Sequence, residues 1–191
     1  MPIRTLLFCA LLASLSACED ALAPSSRGTS TLVFDYTGID GANAFVAEGD
    51  APPDYGQGGT PPGDWALAFR SGVSEPRLVV TAARSRTGGR FDLMTLELPG
   101  AVQPGQTLQF REGCGGEADC AQMIVSFGVE RATNISQTSC SVVSGQGRVQ
   151  ALTGRRVAGS FSGTATCVGD FNGQTQIQRG VFDVAVIVPD A

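Results

Sequence analysis

Hydrophobic and polar residues alternate along most of this chain from Thr31 onward. In TLVFDY, Leu32, Phe34 and Tyr36 fall on one parity and Thr31, Val33 and Asp35 on the other. That is the period of a strand with one buried face. NAFVAEG, DWALAFR, RLVVTAA, FDLMTLEL and QTLQF continue in the same style. In QMIVSFGVE the alternation predicts Met123, Val125, Phe127 and Val129 together on one face. Beyond the apolar stretch at the start of the chain, no segment has the spacing of an amphipathic helix.

Turn residues punctuate these runs. Gly88-Gly89 in SRTGGR predicts a hairpin into FDLMTLEL. SGQG and TGR predict tight turns between the runs around Val142, Val149 and Val157. Asn172-Gly173 predicts a hairpin joining RVAGSFSGTATC to QIQRGVFDVAVIV, since both residues accept positive φ. Within the first of those strands Gly159, Phe161, Gly163, Ala165 and Cys167 share a face. Ser160, Ser162, Thr164 and Thr166 share the other. One buried and one wet face imply an antiparallel sheet. A succession of hairpins without a crossover helix predicts an all-β domain, an antiparallel β-sandwich or open barrel. Phe161 and Phe182, each two residues after a glycine, are expected to point into its core.

The start of the chain differs. Arg4 precedes an apolar run, Thr5 to Leu15, too short to cross a bilayer as a helix. Leu15-Ser16-Ala17-Cys18 follows and resembles the lipobox of a bacterial lipoprotein signal. The resemblance implies removal of residues 1–17, acylation of Cys18 and anchorage to a membrane by several acyl chains. Glu19 and Asp20 depart from the usual inner-membrane retention pattern, which has Asp directly after the cysteine. The expected location is therefore the cell envelope, at the outer rather than the inner membrane. Residues 18–30 are small, polar and aperiodic and read as a flexible tether; 31–191 form the single domain. The closing part of the chain is also similar to uncharacterised lipoprotein β-domains of environmental bacteria. Gly159, Phe161, Gly163, Ala165, Gly180, Phe182 and Val184 match their pattern. That similarity implies a fold type and no activity.

Composition narrows the chemistry. Glycine supplies 25 of 191 residues, above the usual ~7% and in keeping with many strands and tight turns. The formal net charge of −5 argues against a nucleic-acid partner. The chain has no histidine and no lysine, so every basic side chain is arginine. Ser-His-Asp and Cys-His nucleophiles, Ser-Lys dyads, Schiff bases and His-ligated metals are thereby excluded. A carboxylate pair of the glycosidase type is the remaining enzymatic route, and no motif marks one.

Cysteine use points to an oxidising compartment. Cys114, Cys120, Cys140 and Cys167 remain once the leader and Cys18 are set aside. Cys114 and Cys120 bracket GGEAD, a loop short enough to close on itself; Cys140 would then pair with Cys167. Against this, simple successive hairpins put Cys140 on the row of Val157, about ten residues down the strand from Cys167, too far for a bridge. A bend at Gly159 and Gly163 would be needed. A four-thiolate zinc site lacks the paired Cys-x₂-Cys spacing, so no metal is expected.

Two segments invite a binding role. GDAPPDYGQGGTPPGDW is long, rich in Pro and Gly, and carries Tyr55 and Trp65. If exposed, these rings would stack on a sugar or anchor a protein. If not, Trp65 simply begins the next strand and faces the core. In REGCGGEADC, Glu112, Glu117 and Asp119 offer oxygens to calcium but lack an EF-hand pattern, and a solvated disulfide loop is expected. Asn134-Ile135-Ser136 matches a glycosylation sequon of little meaning in a bacterium. The expected role is a non-enzymatic interaction or structural module on an envelope lipoprotein, with no cofactor and with an envelope protein or glycan as partner. The alternatives are a carbohydrate-binding module, which needs exposed coplanar aromatics, and a glycosidase, which needs paired carboxylates in a groove.

Overall fold

Alternation becomes burial from the first strand onward. In the computed structural model, which describes residues 28–39, 44–51, 63–72, 76–114 and 117–187, β1 (Thr31–Tyr36) buries Leu32, Phe34 and Tyr36. The other strands are β2 (Ala44–Glu48), β3 (Trp65–Ser71), β4 (Arg77–Ser85), β5 (Arg90–Pro99), β6 (Thr107–Phe110), β7 (Cys120–Glu130), β8 (Thr138–Leu152), β9 (Arg156–Gly169) and β10 (Gly173–Ile187). Among the described residues the only helical element is a single 3-10 turn, Thr87–Gly89. It makes the expected hairpin between β4 and β5, with Gly88 and Gly89 at φ of 72° and 74°.

The ten strands form one all-β, mostly antiparallel sheet whose pairings return on themselves. The ring runs β10–β9–β8–β7–β5–β4–β3 and back to β10. On its other edge β10 pairs first with β1, which carries β2, and then with β3. Two pairings are parallel, β3 with β10 and β6 with β7, which a chain of simple hairpins does not predict. β7 and β8 pair directly over Ile124–Phe127 and Thr138–Ser141, then part, and β6 fills the gap between them.

Inside the ring lies the main core, including Phe34, Phe45, Phe161 and Phe182. Phe161 and Phe182 are both buried, as their parity predicts. A second cluster of Trp65, Leu67, Ala83, Phe91 and Val129 packs on the opposite face of β3, β4, β5 and β7. Val129 therefore departs from the face of Met123, Val125 and Phe127. A β-bulge opposite Asp92, with Gly128 at φ 64°, inserts a residue and reverses the parity beyond it.

The turn expected at Ser144–Gly147 is absent. These residues lie inside β8, which runs unbroken to the turn before Arg156. The glycines that imitate a turn in the sequence serve a bulged strand instead: register shifts fall between Val142 and Ser144 and between Val149 and Ala151. With β8 continuous, Cys140 lies directly opposite Cys167 on β9. The distance objection to that bridge disappears, and no bend is needed. Both disulfides are formed, Cys114–Cys120 at 2.00 Å and Cys140–Cys167 at 2.08 Å between sulfurs.

The β9–β10 turn also differs in detail from expectation. Gly173 has positive φ but Asn172 does not. Asn172 acts through its side chain: its amide nitrogen donates to the Gly169 carbonyl at 2.6 Å, and its oxygen accepts from the Gly169 N–H at 3.3 Å.

Two groups of charges complete the fold. Asp92, fully buried, accepts hydrogen bonds from the Gly128 N–H at 2.9 Å and from Arg84, and it pairs with Arg86. Arg84 also donates to the Ala44 carbonyl and the Tyr36 hydroxyl, and lies over the Phe45 ring. Burial opposes the Arg84 charge, but hydrogen bonds to Tyr36 and Asp92 and the Asp92 carboxylate outweigh it and raise its pKa. Elsewhere, Arg156 is buried, pairs with Asp183 at 2.9 Å, and donates to the Gly28 carbonyl. Ser30 bonds through its hydroxyl to Asp50 at 2.9 Å and accepts from the Ala185 N–H at 3.0 Å. Gly28 to Ser30 are thus fastened to the domain.

Candidate functional site

The outer face of the ring at β6, β8, β9 and β10 carries a polar trough built by strand register. In one row Thr107, Arg148, Ser160 and Val181 lie side by side. In the next, Gln109 and Gln146 lead to Ser162. Ser144, Thr164 and Gln176 follow. A register shift between Ile177 and Gly180 sets Gln178 and Arg179 together against the β9 position of Ser162. Arg179 holds a left-handed backbone, φ 51°, uncommon for a residue other than glycine.

These rows face outward because their partners fill the core. Phe161, between Ser160 and Ser162, pairs with Gly147 on one side and Gly180 on the other. Bulges bend a strand locally and glycine allows close approach of backbones. Three register shifts fall within this patch of β8 and β10. The result is two adjoining depressions, of about 470 and 480 Å³, that share Gln146 and Ser162. Among the described residues their lining offers hydroxyls, amides, backbone and two guanidinium groups, and no carboxylate. Thr164 and Gln176 are bonded to each other at 3.0 Å. Arg179 is well exposed and pairs with Asp35, which stands on β1 just beyond the trough. Arg148, also exposed, has no ion pair among the described residues.

The sequence marks only part of this surface. The wet parity of Ser160, Ser162 and Thr164 is legible; Ser144, Gln146 and Arg148 are hidden by the turn-like look of SGQG, and Arg179 by a bulge that breaks β10's alternation.

The residues singled out earlier lie elsewhere. Cys18 and Tyr55 fall outside the described residues. Trp65 begins β3 at 2% exposure, in the second cluster. Among the described residues the other large aromatic rings are also at least partly buried, so none of them forms an open stacking platform. Cys114 and Cys120 close their loop, where Glu117 pairs with Arg111 at 2.8 Å. Glu112 and Asp119 are exposed, as is Asn134. Among the described residues no group of three acids or cysteines is placed to hold a metal ion.

Comparison of the chain with protein-family models, with curated proteins and with solved structures gives no match.

Proposed function

We propose that this chain is an acylated envelope lipoprotein whose β-domain is a non-enzymatic binding module, and that the trough on β6, β8, β9 and β10 is its binding face. The support for the anchor is the lipobox at Leu15–Cys18. The support for the module is the trough itself, a dense set of hydrogen-bonding side chains on a sheet, with no carboxylate pair among its described lining residues to do hydrolytic work. The partner is an envelope glycan or protein met at the membrane surface. The stacking form of a carbohydrate-binding module finds no exposed ring among the described residues; the hydroxyl and amide lining suits sugar hydroxyls through hydrogen bonds alone.

The test fills the trough without touching the core. Ser162→Trp places an indole at the residue shared by both depressions. The full chain, released from membranes in detergent, is passed over immobilised envelope polysaccharide and over immobilised envelope protein. The parent is expected to be retained on one of them and the variant to elute early, with the same urea midpoint. Equal retention of parent and variant would remove the trough from the function.

A further inference from the structure

The charges of the trough narrow its ligand. The chain as a whole carries −5, yet among the described residues the two depressions are lined by two arginines and no acid. Arg148 and Arg179 stand on β8 and β10, on either side of β9 and the hydroxyls of Ser160 and Ser162. Asp35 engages one of them from outside, so the net local charge stays positive. A guanidinium presents a planar fork that matches a carboxylate in bidentate fashion. The backbone adds an independent sign. Arg179 holds a left-handed conformation next to Gly180, inside the bulge of β10, and a bulge re-aims the side chain it carries. Ser160 to Thr164 alone spans about 13 Å of trough floor, room for more than one sugar ring.

We propose that the trough binds an acidic oligosaccharide, a run of sugars bearing carboxylates, with Arg148 and Arg179 on the carboxylates and Gln146, Ser160, Ser162 and Thr164 on the hydroxyls. This rests on the binding-module reading above and names its ligand class. Binding weakens as salt rises, because both arginines are exposed before the ligand arrives.

The experiment uses the full chain in detergent and three polymers: polygalacturonate, dextran sulfate and neutral dextran. Polygalacturonate is expected to bind best. In Arg148→Gln with Arg179→Asn, affinity for it should fall about tenfold or more, as loss of charge-assisted hydrogen bonds implies. Asn tolerates the left-handed backbone at position 179, so the urea midpoint should hold. Arg155→Gln, an exposed arginine outside the trough, should bind as the parent does. No binding of polygalacturonate, indifference to the double variant, or equal binding of dextran sulfate overturns the proposal. Retention of dextran or dextran sulfate that Ser162→Trp abolishes would keep the trough as the binding face while discarding the acidic sugar. Failure of all three polymers, together with equal retention of parent and Ser162→Trp on envelope material, would discard both.

Discussion

Phe161 covers Gly180. The two are opposite each other on β9 and β10, and a Cβ added at Gly180 would stand 2.4 Å from Cδ2 and Cε2 of the ring. Phe182 stands in the same relation to Gly159, where an added Cβ would meet Cζ at 2.5 Å. Each phenylalanine shields the glycine facing it, and each glycine makes room for the ring.

This reciprocity predicts the response to substitution. Phe161→Ala should cost about 3–5 kcal/mol, from lost burial plus a cavity. Gly180→Ala should cost about 1–3 kcal/mol by forcing the ring aside. Combined, they should cost less than their sum, since the smaller side chain at 161 removes the clash. Ser162→Ala, on the outer face, should change stability by less than about 0.5 kcal/mol. Urea midpoints decide it; additive costs at 161 and 180 would mean the two do not touch.

The bridges should contribute unequally. Cys140–Cys167 joins residues 27 apart in sequence and Cys114–Cys120 residues 6 apart. Loop-closure entropy then assigns about 3–4 kcal/mol to the first and about 2 kcal/mol to the second. Peptide mapping without reduction should recover both pairs. Denaturation of the two double-alanine variants should give the order stated.

Asp92 is the counter-charge for two arginines. Asp92→Ala leaves Arg84 and Arg86 without it and the Gly128 N–H without its acceptor. The expected loss is about 3–5 kcal/mol. Asp92→Asn keeps an oxygen for Gly128 and should lose less. A melt in which both variants match the parent would show that this cluster does not stabilise the fold.

The anchor is tested at Cys18. Cys18→Ala should abolish incorporation of labelled fatty acid, because Leu15-Ser16-Ala17-Cys18 is the one lipobox-like site in the chain. Labelling equal to the parent would refute the lipoprotein assignment.

Local alternation by itself determined the all-β class, most of the strands and most of their inward faces. Leu32, Phe34 and Tyr36, or Phe161, Ala165 and Cys167, are buried because a strand turns every second side chain to the same side. The missing histidine and lysine set the limits of its chemistry. Parity fails wherever one residue is inserted, and only pairing between distant strands shows where that happens. Gly128 sends Val129 to the second cluster, and the bulges of β8 turn an apparent loop at Ser144–Gly147 into the wall of the trough. Ring closure is equally nonlocal, since Ala68 and Phe69 meet Val186 and Ile187 from the far end of the chain. The tertiary structure decided which residues stand beside Arg148 and Arg179 because that adjacency is a property of sheet register. Register follows from how all ten strands bury their apolar faces together.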